Sequence, residues 1–117
     1  MIYRFINQYL INNVDWSKLD MTKYTNVVRF KVKSGLEAKF EDIFKQSDKW
    51  PGMIIHVLAK TGDQTYVAYG LWENEDRMRT AMPNMISLLD QTRDMLEELS
   101  PELGVTDPVS GNVIFES

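Results

Sequence analysis

One histidine and one tryptophan are the residues of this sequence best suited to chemistry. His56 is the only histidine among 117 residues, and the usual pKa of this side chain, about 6.5, makes it the one ready general base at neutral pH. Trp72 ends a run of β-branched and aromatic residues and is followed at once by the acidic segment Glu73 to Asp76. Its indole offers a large, flat and mostly apolar surface.

Both residues also have purely structural interpretations. His56 can be a hydrogen-bonded residue at an interface between two copies of the chain, or part of a polar cluster with Tyr69 and Arg29. Trp72 can be a core residue that joins the end of a strand to the start of a helix. The sequence leaves these alternatives open.

The composition excludes thiol chemistry and most metal chemistry. The chain contains no cysteine, so disulfides, thiolate nucleophiles and thiolate metal ligands are all excluded. A centre held by two histidines is excluded because His56 has no second histidine to join it. We therefore expect no metal.

Composition and charge indicate a single globular domain that does not bind nucleic acid. Hydrophobic residues make up 44% and charged residues 26% of the chain. The net charge is -4 and no basic cluster occurs, whereas a phosphate backbone requires a concentrated positive face. No apolar run approaches the ~18 residues of a membrane span, so we expect no membrane partner and a cytoplasmic location.

The N-terminal residues predict a helix outside the main domain. Apolar side chains recur at helical spacing over residues 2–13, and the opposite face carries Arg4 as its one charge. Packing on the domain or on a partner subunit is therefore favoured over an interfacial membrane helix. We assign residues 1–24 to this helix and a linker, and residues 25–117 to the domain.

The domain has the pattern β-α-β-β-α-β. Ser34 and Glu37 form a capping box that starts the first helix, and Asn74 caps the second. Pro83 is expected to kink the second helix, which ends at Ser100. The predicted strands cover residues 25–33, 53–61, 64–73 and 112–116.

The hairpin between the second and third strands sets the faces of their side chains. Gly62 and Asp63 predict a two-residue turn. That register pairs His56 with Tyr69 and puts His56 and Trp72 on opposite faces of the sheet. A one-residue bulge would reverse this arrangement.

The run from Gln64 to Arg77 resembles the strand-to-helix junction of the antibiotic biosynthesis monooxygenase family, with Trp72 at the strand end and Asn74 at the helix start. The resemblance implies an α+β, ferredoxin-like β-α-β-β-α-β sandwich that forms a dimeric α/β barrel, here with an N-terminal helical extension. The second and third strands are apolar on both faces, and helices on one side leave the other side uncovered. We therefore expect a homodimer.

The resemblance also implies a ligand pocket between the sheet and the helices. Heme-degrading members of the family have an asparagine on the first strand and a histidine on the second helix. In this sequence the asparagine position aligns with Val28 and the second helix lacks histidine, so heme oxygenation is not expected. The expected ligand-pocket residues are Trp72, Val28, Phe30, Gly70, Met82 and Met85.

The function implied by the resemblance is a cofactor-independent, monooxygenase-like activity on a small planar aromatic of the quinol or polyketide type. Trp72 would hold the ring, and Asn84, if the kink turns it inward, would donate a hydrogen bond. His56 would act as the base if a bulge brings it to the pocket side. The alternative is a non-catalytic dimeric barrel that binds a small apolar ligand or has a structural role, with an isomerase or lyase third.

Overall fold

The structure is a computed structural model that describes residues 22–117. The predicted helix over residues 2–13 and most of the linker lie outside the described residues, and the division into a helix and a domain stays a prediction. The elements are β1 (Tyr24–Lys31), α1 (Glu37–Lys45), β2 (Met53–Lys60), β3 (Thr65–Trp72), α2 (Glu75–Asp90), a 3-10 helix (Arg93–Met95) and β4 (Asp107–Asn112). The predicted order is confirmed, and the first three strands begin and end within two residues of the prediction.

The four strands form one antiparallel sheet in the order β2-β3-β1-β4. Both helices pack on the same side of this sheet, which we call the inner face. Phe40 of α1 packs with Phe30 and Tyr66, and Met78 of α2 packs with Trp72. This is the α+β, ferredoxin-like sandwich that the sequence predicted.

Aromatic rings fill the space between α1 and the sheet. Phe40 is fully buried, and its ring centroid lies 5.6 Å from that of Phe30 and 5.0 Å from that of Tyr66. Such tilted and edge-on contacts suit the charge distribution of aromatic rings. The predicted alternation of β1 holds here, because Phe30 and Val32 are buried and Val28 packs against the same cluster.

The turn between β2 and β3 is one residue longer than predicted. The amide of Thr61 donates to the carbonyl oxygen of Thr65 at 2.9 Å, which leaves the three residues Gly62 to Gln64 in the turn. Along most of β2 the register is therefore shifted by one residue, and His56 pairs with Gly70 instead of Tyr69.

A β-bulge near the start of β2 restores the predicted register there. Met53 pairs with Trp72 as predicted, and the shift occurs between Met53 and Ile55. Because successive side chains alternate between faces, His56, which pairs with Gly70, lies on the inner face with Trp72, and the bulge places Met53 on that face as well. The prediction that His56 and Trp72 lie on opposite faces is wrong because the turn between β2 and β3 is one residue longer than predicted.

The opposite side of the sheet, which we call the outer face, carries apolar side chains. Ile55 and Val57 of β2 are each 43% exposed, and Val109 of β4 is 62% exposed. The two helices pack on the inner face, so they contribute nothing to covering this one.

The predicted capping box of α1 does not form. The helix starts at Glu37, and Leu36 at the N-cap position makes no side-chain capping bond. Gly35 turns the chain with a φ of 91°, and its amide donates to the Glu37 carboxylate at 2.9 Å. The carboxylate thus satisfies the amide of Gly35 rather than that of Ser34.

The start of α2 agrees with the sequence. The side-chain oxygen of Asn74 accepts a hydrogen bond from the amide of Arg77 at 2.9 Å, as expected of an N-cap. The helix then continues through Pro83 to Asp90.

The predicted C-terminal extension of α2 is wrong. After Asp90 the chain leaves the helix, and Leu96 forms an antiparallel bridge with Val32 at the end of β1. The amide of Lys33 also donates to the carbonyl oxygen of Met95 at 2.7 Å. Leu96, one of the residues that suggested a longer helix, is therefore buried in the core cluster with Val32.

The last strand begins five residues earlier than the predicted strand over residues 112–116. β4 pairs with β1 at the edge of the sheet, where Arg29 forms an ion pair with Asp107. Pro108 lies in this strand, and proline is tolerated at an edge because its nitrogen has no hydrogen to donate.

We predict that Asn74→Ala lowers the free energy of unfolding by about 1 kcal/mol, because it leaves the amide of Arg77 without its acceptor. Asn74→Asp keeps an acceptor oxygen and should retain most of the stability. Urea denaturation followed by far-UV circular dichroism measures both. Asn84→Ala, on the exposed side of the same helix, is the matched control and should not destabilise the protein. An equal loss in Asn74→Asp would contradict the capping role.

Candidate functional site

A cavity of about 410 Å³ lies between the inner face of the sheet and α2, and we call it the central cavity. Small-molecule sites commonly have roughly 300–1,000 Å³ and mostly apolar walls. The predicted residues Val28, Phe30, Gly70, Met82 and Met85 all lie on its wall. Methionine side chains adapt to the shape of a ligand, so the α2 side of this wall is deformable.

Few polar side chains interrupt the apolar wall. Asn26 and His56 lie on it from β1 and β2, and Thr106 and Ser110 reach it from the β4 side. Asn26 and Ser110 are directly paired across β1 and β4, on the inner face. Any chemistry in the cavity therefore depends on a small set of groups.

Asn26 is held in place by a tryptophan. The indole nitrogen of Trp72 donates to the Asn26 side-chain oxygen at 2.7 Å. The Asn26 amide nitrogen points to the sulfur of Met85 at 3.8 Å. A thioether is a weak acceptor, so this N–H group remains a good donor for a ligand oxygen.

Trp72 lies behind the cavity wall. It is 0% exposed and packs with Met53, Met78 and Ala81. Its ring is parallel to that of Trp50, with 6.4 Å between the ring centroids. The structure thus agrees with the interpretation of Trp72 as a core residue, which was one of the two alternatives left open by the sequence. Trp50 lies on the cavity wall in front of Trp72. Direct contact of Trp72 with a ligand stays a prediction.

His56 lies on the cavity wall between two aromatic rings. Its ring centroid is 5.6 Å from that of Trp50 and 6.0 Å from that of Phe44. Burial lowers the pKa of His56 below its usual value, because an apolar surrounding disfavours the charged imidazolium. Within residues 22–117 the imidazole makes no hydrogen bond, so a neutral ring with a free nitrogen lone pair faces this region.

The alternative cluster of His56 with Tyr69 and Arg29 is not formed. Tyr69 pairs with Val57 and therefore belongs to the outer face, opposite to His56. Arg29 also points to the outer face and is paired with Asp107.

Asn84 is not in the cavity. Its side chain is exposed, whereas Met82 and Met85 of the same helix lie on the wall. Two residues along an α-helix correspond to about 200° of rotation, so Asn84 points away from the side that Met82 presents. α2 continues through Pro83 and does not turn Asn84 inward, so its expected catalytic position is wrong.

Sequence reasoning missed Asn26 and Trp50. Asn26 lies two residues before Val28, the position that the resemblance aligned with an asparagine, and on the same face of β1. The alternation with Val28 and Phe30 was a signal that could have found it. Trp50 precedes the Pro51-Gly52 turn, where no periodic pattern indicates which way a side chain points.

Two further findings concern metals and membranes. In the part of the chain that the structure describes, no group of three or more His, Cys, Asp or Glu side chains is placed to hold a metal ion. No helix among these residues is long and apolar enough to span a bilayer.

Solved structures with this architecture were identified by comparison. SnoaB, a cofactor-independent oxygenase from Streptomyces nogalater, has in a single-substitution variant a TM-score of 0.63 and 24% identity, over 80% of this chain and 95% of SnoaB. A protein named as a candidate antibiotic biosynthesis monooxygenase from Nitrosomonas europaea has a TM-score of 0.65 and 15% identity, over 82% of this chain and 94% of its own. The chain has the fold of the antibiotic biosynthesis monooxygenases.

A dimeric ferredoxin-like protein from an uncultured marine organism is also similar, with a TM-score of 0.63 and 14% identity over 86% of this chain and 96% of its own. Neither family models nor the sequences of curated proteins match this chain. The likeness is therefore one of fold, and it agrees with the family resemblance noted in the sequence.

We predict that Gly70→Ala disturbs the Asn26–Trp72 pair. A Cβ at this position would lie 2.5 Å from the Asn26 side-chain oxygen and 2.9 Å from the Trp72 indole nitrogen. Overpacking of this kind costs about 1–3 kcal/mol in unfolding free energy. Gly111→Ala, where nothing lies within 4 Å of the added carbon, is the matched control and should change stability by less than about 0.5 kcal/mol. Denaturant unfolding with tryptophan fluorescence measures both, and equal effects would refute the packing assigned to Gly70.

Proposed function

We propose that the protein is a cofactor-independent monooxygenase acting on a small planar aromatic of the quinol or polyketide type. The observation that carries this proposal is that a neutral imidazole and an amide donor, whose acceptor is only a weak thioether, lie on the same apolar wall. His56 supplies the imidazole and Asn26 the amide. The fold, shared with a cofactor-independent oxygenase, supports the same reading.

The first step is removal of a proton from the substrate. A phenol or anthrone loses a proton to His56, which becomes an imidazolium, and the remaining electron pair spreads over the aromatic system. The pKa of His56 is lowered by burial, so the base is in its neutral form at pH 7. The rings of Trp50 and Phe44 hold the imidazole from both sides.

Asn26 stabilises the anion formed in this step. Its amide N–H donates to the substrate oxygen on which negative charge accumulates. The hydrogen bond from Trp72 fixes the orientation of the amide, because the oxygen must face the indole and the nitrogen must therefore face the cavity. A donor oriented in advance in an apolar site stabilises such charge more than water does.

Oxygen then reacts with the anion directly. The anion passes one electron to O2, and the resulting radical pair combines to form a C–O bond. The peroxide takes the proton held by His56 and loses water, leaving a new carbonyl group. For an anthrone, one O2 is consumed and one quinone and one water are formed. The apolar wall supports this reaction by excluding water.

The second candidate function is binding without catalysis. Its support is the small number of polar side chains on the cavity wall and the engagement of Asn26 by Trp72. In that case the cavity takes up a flat apolar molecule, and His56 serves only as part of the wall.

We also propose that the functional unit is a homodimer. The outer face carries exposed apolar residues from β2 and β4, Ile55, Val57 and Val109. A second copy that packs its own outer face on this one buries both and closes a barrel between them. The dimeric ferredoxin-like neighbour supports this arrangement.

Oxygen uptake with an anthrone tests the catalytic proposal. We expect turnover above the rate in buffer, with one O2 consumed per quinone formed. His56→Gln should lower kcat by about 100-fold or more while binding persists, because it removes the general base. In the wild type, kcat/KM should fall as the pH drops through the lowered pKa of His56, which lies below 6.5, because protonation removes the base. Binding without oxygen uptake at any pH would favour the non-catalytic alternative.

Asn26→Asp tests the donor separately. The change keeps an oxygen to accept from Trp72 but replaces the N–H donor with an acceptor, so kcat should fall by roughly 100-fold. The same change at the exposed Asn112 of β4 is the control and should leave kcat unaltered. Full activity in Asn26→Asp would exclude Asn26 as the donor.

Analytical ultracentrifugation tests the dimer. The wild type should sediment as a dimer at micromolar concentration, and Val57→Glu should sediment as a monomer, because a buried unpaired charge costs several kcal/mol. Leu103→Glu introduces the same charge at an exposed apolar residue in the turn region before β4, outside the strands, and should remain dimeric. A monomeric wild type would refute the barrel.

A further inference from the structure

A second cavity lies beside the central one, and its chemistry is different. It has a volume of about 350 Å³ and extends from the end of α1 to β2. Phe44 and His56 belong to the walls of both cavities. A ligand that contacts His56 in the central cavity is therefore next to the second one.

The second cavity carries an excess of positive charge. Its wall contains Lys45, Lys49 and Lys60 but one carboxylate, Glu41. This excess stands out in a chain whose net charge is -4. His56, the remaining basic group on the wall, is neutral at pH 7 because burial lowers its pKa.

The carboxylate is already engaged. Tyr66 donates its hydroxyl hydrogen to Glu41 at 2.5 Å, and the Lys60 ammonium nitrogen lies 3.7 Å from the same carboxylate oxygen. The hydrogen bond from Tyr66 lowers the pKa of Glu41, so this group is ionised at neutral pH and balances Lys60.

Two lysines form no ion pair in the described part of the chain, although the charge of Lys45 helps to lower the pKa of Glu41. Lys45 forms no ion pair within residues 22–117, and Lys49 donates only to the carbonyl oxygen of Ile54, at 3.3 Å. Two positively charged side chains on one concave wall attract an anion.

We infer that the second cavity is a subsite for a carboxylate of the aromatic ligand whose ring occupies the central cavity. The inference rests on the proposed function for the identity of that ring, and it narrows the ligand to an aromatic carboxylic acid. The ring contacts the apolar wall around Phe30 and Met85, while the carboxylate passes Phe44 and His56 and meets Lys45 and Lys49.

The shared wall favours a substituent of the same molecule over a separate anion. A free anion would be bound only by its contacts with the exposed lysines, and such contacts are weak in water. A carboxylate attached to a bound ring is delivered to the lysines at high effective concentration. The subsite thus contributes chiefly to the selection of charged over neutral aromatics.

Calorimetric titration with 2-naphthoate and 2-naphthamide tests the inference, because the two probes share the ring and differ in charge. We expect the full-length wild type to bind 2-naphthoate at least about fivefold more tightly, the gain of a pair of lysine contacts to a carboxylate. This preference should shrink as salt is raised from 0.05 to about 0.5 M, because salt screens exposed charges.

Lys45→Met combined with Lys49→Met removes both charges and keeps chains of similar length. This variant should lose the preference for 2-naphthoate and bind 2-naphthamide as the wild type does. Lys39→Met, on an exposed turn of α1 outside the second cavity, is the matched control and should keep the preference. Circular dichroism verifies that the variants are folded.

Equal affinity of the wild type for both probes, or an equal weakening of both in the double variant, would overturn the inference. Its failure is separable from that of the proposed function. A wild type that shows no carboxylate preference but still oxidises anthrone rejects the subsite alone. A retained preference with no oxygen uptake keeps the subsite and rejects the catalysis.

Discussion

The pairing of β2 with β3 is the constraint on which the rest of the site depends. Side chains alternate strictly between the faces of a sheet, so a shift of one residue moves every side chain of a strand to the other face. A three-residue turn and one bulge keep both Met53 and His56 on the inner face. Without the extra turn residue, the single histidine and the buried Trp72 would lie on opposite faces of the sheet.

Trp72 and Trp50 have different roles: Trp72 supports the site from the core, and Trp50 forms part of the cavity wall. Trp72 is withdrawn into the core, where its indole N–H fixes the Asn26 amide and its ring lies parallel to Trp50. Trp50 is half-buried and forms part of the cavity wall beside His56. A polar group that is oriented by a buried neighbour loses little entropy when a ligand binds, so the wall is prepared before the ligand arrives.

Much of the fold could be predicted from sequence, because it rests on local patterns. The alternation of apolar residues in β1 correctly predicted which of its side chains face the helices, and Asn74 correctly predicted the start of α2. The site was harder to predict from the sequence, since it depends on contacts between residues that are far apart in the chain. The longer turn moved His56 to the other face, and α2 ended at Asp90, before Leu96, which forms a bridge with Val32. Neither effect has a periodic signal.

The irregularities at the two edges of the sheet have a consequence for how the protein meets other chains. Unpaired edge strands are templates for strand addition, which leads to uncontrolled polymerisation. Here β4 carries Pro108, which lacks a donor, and β2 is bent by its bulge. Both interruptions disfavour growth of the sheet from molecule to molecule. Apolar residues on the outer face can thus remain available for a face-to-face contact without making the protein prone to fibril formation.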